Sequence, residues 1–156
     1  MTIAVIDIDG VVADVAHRLH HLRGRSRDWD AFFRDAERDG VHEVGRRLVR
    51  ELAERHDIVW LTGRPERLRG LTTRWLARHD LPTDELYMRG DQDHRPAPDL
   101  KLAELSRLRA RQIAAYVDDD QLVIDAALAA GYPAIMADWA PRRRALRQAQ
   151  DELGRT

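Results

Sequence analysis

The chain contains no cysteine, which excludes a disulfide framework and any thiolate metal site. Lysine is almost as scarce: of 26 basic residues, only Lys101 is lysine and the rest are arginine. No apolar run approaches the ~20 residues that a membrane helix needs. Nor does a basic region followed by an apolar segment open the chain. A soluble, cytoplasmic protein with no membrane partner is therefore the expectation. The net charge of −1 gives no global attraction to nucleic acid, so a polynucleotide would be met by a local patch. No repeat, low-complexity tract or linker interrupts the sequence, and 156 residues suffice for one domain with its own core.

What is present is organised around the first strand. Thr2-Ile3-Ala4-Val5-Ile6 is a largely β-branched apolar run, the pattern of a strand buried on both faces of a parallel sheet. It runs into Asp7-Ile8-Asp9-Gly10. In extended chain, two carboxylates two residues apart project to the same side. Like charges held that close call for a cation, a shared proton or a bound phosphate. The plainer reading is an acidic Asp-Gly turn.

Downstream, strand-like and helix-like segments alternate. Residues 13–27 are densely cationic, with His17, Arg18, His20, His21, Arg23, Arg25 and Arg27, and read as a solvated loop or short helix. An amphipathic helix is expected over 28–38, with Trp29, Phe32, Phe33 and Ala36 on one face, ended by Gly40. A second follows to about Arg55. Further strands are expected at 57–61, 85–88, 113–117 and 133–137, with helices from Pro65 to about His79, around Leu100 to Leu108, and over 122–130. A charged helix at 141–153 is either a contact with a second copy of the chain or ordinary surface. This alternation predicts a three-layer, Rossmann-like α/β fold with a parallel five-stranded sheet and a small helical cap, about residues 14–42, after strand one. Ligands in such folds sit beyond the carboxyl ends of the strands. Three of those ends carry suitable chemistry: Asp7 and Asp9, Thr62 and Gly63, and Asp118 and Asp119.

Four aspartates in one cleft, with no His or Cys at matched spacing, favour Mg²⁺ over zinc. N-capping is the plainer use of Asp118-Asp119-Asp120, but a cap needs only one residue. Thr62 and Gly63, read as lying just before a helix N-terminus, form a plausible anion site. Lys101 is expected in the first turn of its helix, where the macrodipole disfavours a cation unless phosphate or carboxylates offset it. An anion site, a magnesium site, a spare carboxylate and a placed ammonium together describe phosphoryl transfer.

These pieces resemble the haloacid dehalogenase superfamily. The first motif is similar to Asp7-Ile8-Asp9-Gly10-Val11, the second to Leu61-Thr62-Gly63-Arg64, the third to Lys101 and the fourth to Val117-Asp118-Asp119. The resemblance implies Asp7 as nucleophile, Asp9 as general acid and base, and Thr62 and Lys101 holding the phosphoryl group. It also implies Mg²⁺ on the Asp7 carboxylate, the Asp9 main-chain carbonyl and Asp119, with Asp118 nearby. The second acid, Asp9, points to a phosphatase branch. Thr73-Arg74-Trp75-Leu76, and Met88-Arg89 followed by Asp93-His94-Arg95 and Lys101, resemble the phosphatase half of phage-type polynucleotide kinase-phosphatases. The acidic residues that such enzymes carry shortly before the lysine are replaced here by Ala97 and Pro98. The expected activity is removal of a 3′-phosphate from polynucleotide ends, with Gly63, Arg64, Arg89 and Arg95 as further substrate contacts. A small-molecule phosphatase, such as a nucleotidase, and a non-catalytic phosphate-binding module are the alternatives. No kinase P-loop sequence is present.

Overall fold

The computed structural model describes residues 1–140; the expected helix at 141–153 lies outside them. Five parallel strands form the sheet in the order β5-β4-β1-β6-β7. They are β1 (Ile3–Ile6), β4 (Asp57–Pro65), β5 (Leu86–Arg89), β6 (Ile113–Asp118) and β7 (Ala134–Met136). β1 is central, with Val5 opposite Val59 of β4 on one side and Tyr116 of β6 on the other. All four of its residues are buried, as its unbroken apolar run predicts. Each such aliphatic side chain contributes about 1.5–3 kcal/mol on burial.

The strand's period of two sorts its residues onto two cores. Ala4 and Ile6 pack with Trp60, Trp75 and Leu76 beneath α2 (Glu43–Ala53) and α3 (Arg69–Arg78). Ile3 and Val5 pack with Leu61, Leu105, Tyr116 and Val123 beneath α4 (Ala97–Leu108) and α5 (Gln121–Ala129). Asp7 continues the second set, so its carboxylate faces α4.

Residues 14–42 form an insert closed by a two-stranded antiparallel stem, β2 (Ala13–Asp14) with β3 (Gly40–Val41). Inside it are a 3-10 helix (Ala16–Leu22), α1 (Trp29–Arg34) and a second 3-10 turn (Asp35–Arg38). Asp28 caps α1 by accepting from Ala31 N. Val15, Leu19, Leu22, Trp29, Phe32 and Phe33 make a third, separate core. The rings of α1 are used for packing: Phe32 is 0% and Phe33 2% exposed.

Some local expectations change. The helix at 28–38 is broken, with α1 ending at Arg34 and a tighter turn following. Gly40 does more than end it, because it pairs with Asp14 in the stem. β4 runs on to Pro65, where it pairs with Arg89, and α3 begins only at Arg69. Thr62 and Gly63 are therefore strand residues, and a 3-10 helix (Glu66–Leu68) capped by Pro65 follows them and leads into α3. α4 begins at Ala97, which puts Lys101 in its second turn, past the strongest part of the dipole. Among the described residues no helix is long and apolar enough to cross a membrane.

Candidate active site

The carboxyl ends of β1, β4 and β6 converge on a small cleft lined by Asp7, Asp9, Thr62, Gly63, Lys101, Asp118, Asp119 and Asp120. Asp7 N donates to Val117 O at 2.9 Å, extending the β1–β6 ladder by one residue and setting Asp7 beside Asp118. The chain then turns at Gly10, where φ is +79°. A Cβ there would lie 1.9 Å from Asp119 Oδ2, so glycine is required both for the turn and for the approach of β6.

Lys101 is 3% exposed and reaches back from α4. Its ammonium donates to Asp7 Oδ1 (2.8 Å), Leu61 O (2.7 Å) and Asp118 Oδ2 (3.2 Å). All three of its protons are used. Asp118 also accepts from the buried Tyr116 hydroxyl through Oδ2 and from Asp120 N through Oδ1. Burial pushes Asp7 upward, Lys101 pulls it back, and Asp118 and Asp9 push again, leaving it at about 7. Burial, then Asp118 and Asp7, push Asp119 well above the usual carboxylate range. Burial would lower Lys101, but Asp118 and Asp7 outweigh it and raise the ammonium's pKa.

Asp9 sits in the opposite environment. Its Oδ1 accepts from Arg64 Nη2 (2.6 Å), Arg64 Nε (3.1 Å) and Arg18 Nη2 (2.9 Å). Both guanidiniums also reach Asp39, at 2.7 Å from Arg18 and 3.2 Å from Arg64. Arg18 and Arg64 are fully buried. Arg18 lies over the Phe32 ring at 4.3 Å, and Trp75 Nε1 donates to Asp39 O at 2.9 Å. Burial would raise Asp9, but Arg64 and Arg18 overcome it and hold the carboxyl at about 2. Burial raises Asp39 against the pull of Arg18.

The cleft thus assembles Asp7, Asp9, Thr62, Gly63, Lys101, Asp118 and Asp119. Three of the arginines expected at the substrate stand elsewhere. Arg64 is spent on Asp9, Asp39 and the Thr72 hydroxyl (3.3 Å). Arg89 is 2% exposed and ties its loop to β4 through Gly63 O, and to itself through Asp93 O and Arg95 O. Arg95 is exposed and paired with Asp93 at 2.7 Å. Each is close to a carboxylate or to carbonyls of its own loop, which satisfies its donors locally. Arg18 and Asp39 went unrecognised in the sequence. Arg18 lies in a cationic run that reads as solvated, and Asp39 reads as the end of a helix. Only the apolar Val15, Leu19 and Leu22 around Arg18, now in the insert's core, show that its helix has a buried face.

Asp7, Asp118 and Asp119 offer carboxylate oxygens within 4.8 Å of one another. Three carboxylates share one ammonium, so this wall carries excess negative charge. The donors are all hard oxygens, and a divalent ion such as Mg²⁺ fits them. The Asp9 carboxylate belongs to the arginine cluster instead, so any contribution from Asp9 would come from its main-chain carbonyl.

A Rossmann-like sheet with acidic strand ends and an insert after β1 is the fold of haloacid dehalogenase-type hydrolases. A TM-score of 0.63 relates it to a haloacid dehalogenase-like hydrolase from Streptococcus pneumoniae, at 13% identity over 96% of this chain and 90% of that one. A class C acid phosphatase from Bacillus anthracis with bound tungstate also gives 0.63, at 12% identity over 97% of this chain and 78% of the other. The family model for the phosphatase domain of the polynucleotide kinase PNKP matches residues 1–136, and the chain belongs to that family. A chain of the Pnkp1/Rnl/Hen1 complex shares the fold with a TM-score of 0.71 and 20% identity over 90% of this chain. The present chain spans 47% of that longer one. No curated protein matches.

Proposed function

We propose that the chain is a Mg²⁺-dependent phosphomonoesterase that removes the 3′-phosphate from polynucleotide ends through a phosphoryl-Asp7 intermediate. The observation that carries this is the split between two carboxylates two residues apart. Asp7, at about 7, is held by Lys101 between the ends of β4 and β6, while Asp9, at about 2, is held by two arginines. Binding phosphate alone needs no second acid in the cleft. Membership of the PNKP phosphatase family supports the polynucleotide substrate. So does the shared fold with a chain of the Pnkp1/Rnl/Hen1 RNA repair complex.

In this reading the ionised Asp7 attacks phosphorus, the bond to the 3′-oxygen breaks, and the leaving oxygen takes a proton. Thr62 Oγ1 and the Gly63 N–H hold phosphoryl oxygens. Lys101 joins them by exchanging its longest contact, to Asp118, for a phosphoryl oxygen. When bound, Mg²⁺ on Asp7, the Asp9 carbonyl and Asp119, with Asp118 beside it, would neutralise charge on the phosphoryl group. Hydrolysis of phosphoryl-Asp7 by water returns a proton, which Asp9 accepts. A carboxyl at about 2 is ionised at neutral pH and carries no proton to block that second step, but its basicity is low while the guanidiniums hold it. To protonate the leaving oxygen in the first step, Asp9 must first leave the guanidiniums, which raises its proton affinity.

The test compares Mg²⁺-dependent phosphate release from a 3′-phosphorylated oligonucleotide, its 5′-phosphorylated counterpart and free nucleotides. Faster turnover of the 3′-phosphorylated strand is expected. Preference for free nucleotides rejects the polynucleotide substrate in favour of a small-molecule phosphatase. Phosphate binding without turnover of any substrate rejects the catalytic reading.

A further inference from the structure

A second cluster of metal-ligating side chains lies in the insert, outside the cleft. His20 and His21 are consecutive in the 3-10 helix Ala16–Leu22, and Asp35 stands at the C-cap of α1. Among the described residues only two groups of three or more His, Asp or Glu place ligand atoms within 4.8 Å of one another: the catalytic carboxylates and this trio. The two differ in donor chemistry. The cleft offers oxygens, whereas the insert offers two imidazoles and a carboxylate, a set that suits zinc and its first-row neighbours over Mg²⁺.

The local geometry favours ligation. His20 Nδ1 lies 2.9 Å from His17 O, and a carbonyl can only accept, so in the neutral ring Nδ1 carries the proton. That leaves Nε2 with its lone pair, the tautomer fixed by a backbone carbonyl that metal-bound histidines commonly show. The His20 and His21 rings lie 3.9 Å apart between centroids, at 42°. His21 Nε2 is already 2.6 Å from Asp35 Oδ2. In a tetrahedral site with bonds of about 2.0 Å the ligand atoms stand roughly 3.3 Å apart. The ligand atoms of His20, His21 and Asp35 already lie within 4.8 Å of one another, near the spacing such a site requires. The hydrogen bond with His21 comes first among the influences that hold Asp35 below the ordinary carboxylate value. The site is reachable: His21 and Asp35 are 20% and 31% exposed in their side chains, and His20 is exposed.

We infer that His20, His21 and Asp35 form a binding site for a zinc-class divalent cation, distinct from the magnesium wall of the cleft. The ion ties the 3-10 helix to the end of α1, with water completing its coordination. The same 3-10 helix carries Arg18, which reaches Asp9 at 2.9 Å. Occupancy therefore stiffens the element that supports Asp9.

The test is titration of the full chain with Zn²⁺ by calorimetry, and with Co²⁺ by visible absorption, in millimolar Mg²⁺ to occupy the cleft. One equivalent of tight binding is expected, with imidazole-type Co²⁺ bands. His20→Ala, on an exposed side chain, should weaken binding at least about tenfold, and His20→Ala combined with His21→Ala should abolish it. Thermal melts should show Zn²⁺ stabilising the parent chain but not the double variant. Binding that survives both substitutions, binding that excess Mg²⁺ displaces, or no Zn²⁺ binding at all overturns the inference.

Discussion

The two walls of the cleft solve the same electrostatic problem in opposite ways. On the Asp9 side, two carboxylates (Asp9 and Asp39) face two guanidiniums (Arg18 and Arg64), all buried, and the charges balance within the protein. On the Asp7 side, Asp7, Asp118 and Asp119 share the single ammonium of Lys101. The first wall is complete as built, so its carboxylate stays ionised. The second is short of positive charge, so it takes up protons or a cation. In the proposed mechanism the wall with unbalanced charge takes the metal beside the phosphoryl group, and the balanced wall supplies the second carboxylate.

The largest expected effect is on turnover. Asp7→Asn should lower phosphate release at least about 10³-fold while leaving the melting temperature unchanged or raised, because it removes a buried charge from the crowded wall. Wild-type turnover in this variant would remove Asp7 as nucleophile.

Next come the cations. Arg64→Ala leaves two buried carboxylates with one guanidinium and should cost about 3–5 kcal/mol in denaturant unfolding. Lys101→Met in Mg²⁺-free buffer should cost less, because Asp7 and Asp119, already raised, take up protons more readily than Asp9. Equal losses would erase the contrast between the walls.

Their pH dependences should have opposite signs. Asp7 has a folded pKa of about 7 against an ordinary 3.8, so the folded state holds the extra proton. That contribution is present at low pH and lost as pH rises from about 4 to about 7, by at most about 4 kcal/mol. Asp119 acts in the same direction. Asp9, at about 2, contributes stability above pH 4 that is lost as pH falls through 2. Mg²⁺ competes with protons for the Asp7 wall and should raise the melting temperature more at pH 8 than at pH 5. The reverse order would put the ion elsewhere. The smallest effect is Tyr116→Phe, which removes one hydroxyl from Asp118 and should cost about 1 kcal/mol.

The contrast also marks what the sequence made legible. The layered parallel sheet followed from apolar runs alternating with amphipathic ones, and β1 needed no tertiary information to be read. Asp7, Asp9, Lys101, Asp118 and Asp119 were legible because acids at strand ends and a lone lysine stand out locally. The balanced wall was not. Arg18 and Asp39 are 21 residues apart in a segment of mixed charge, and only the closing of β2 on β3 makes them neighbours. Arg64 was noticed but expected to face substrate, because its partners Asp9 and Asp39 come from two other parts of the chain. The helix expected from Pro65 is present, but its first turn is a 3-10 helix (Glu66–Leu68), because pairing of Pro65 with Arg89 keeps that residue in β4.

The division between the walls is tested most directly by carboxyl NMR of the metal-free protein, labelled at aspartate, with Asp7→Asn and Asp9→Asn used to assign the two signals. Asp7 is expected to titrate near 7 and Asp9 near 2. Both carboxyls titrating together close to the ordinary aspartate value would contradict that division.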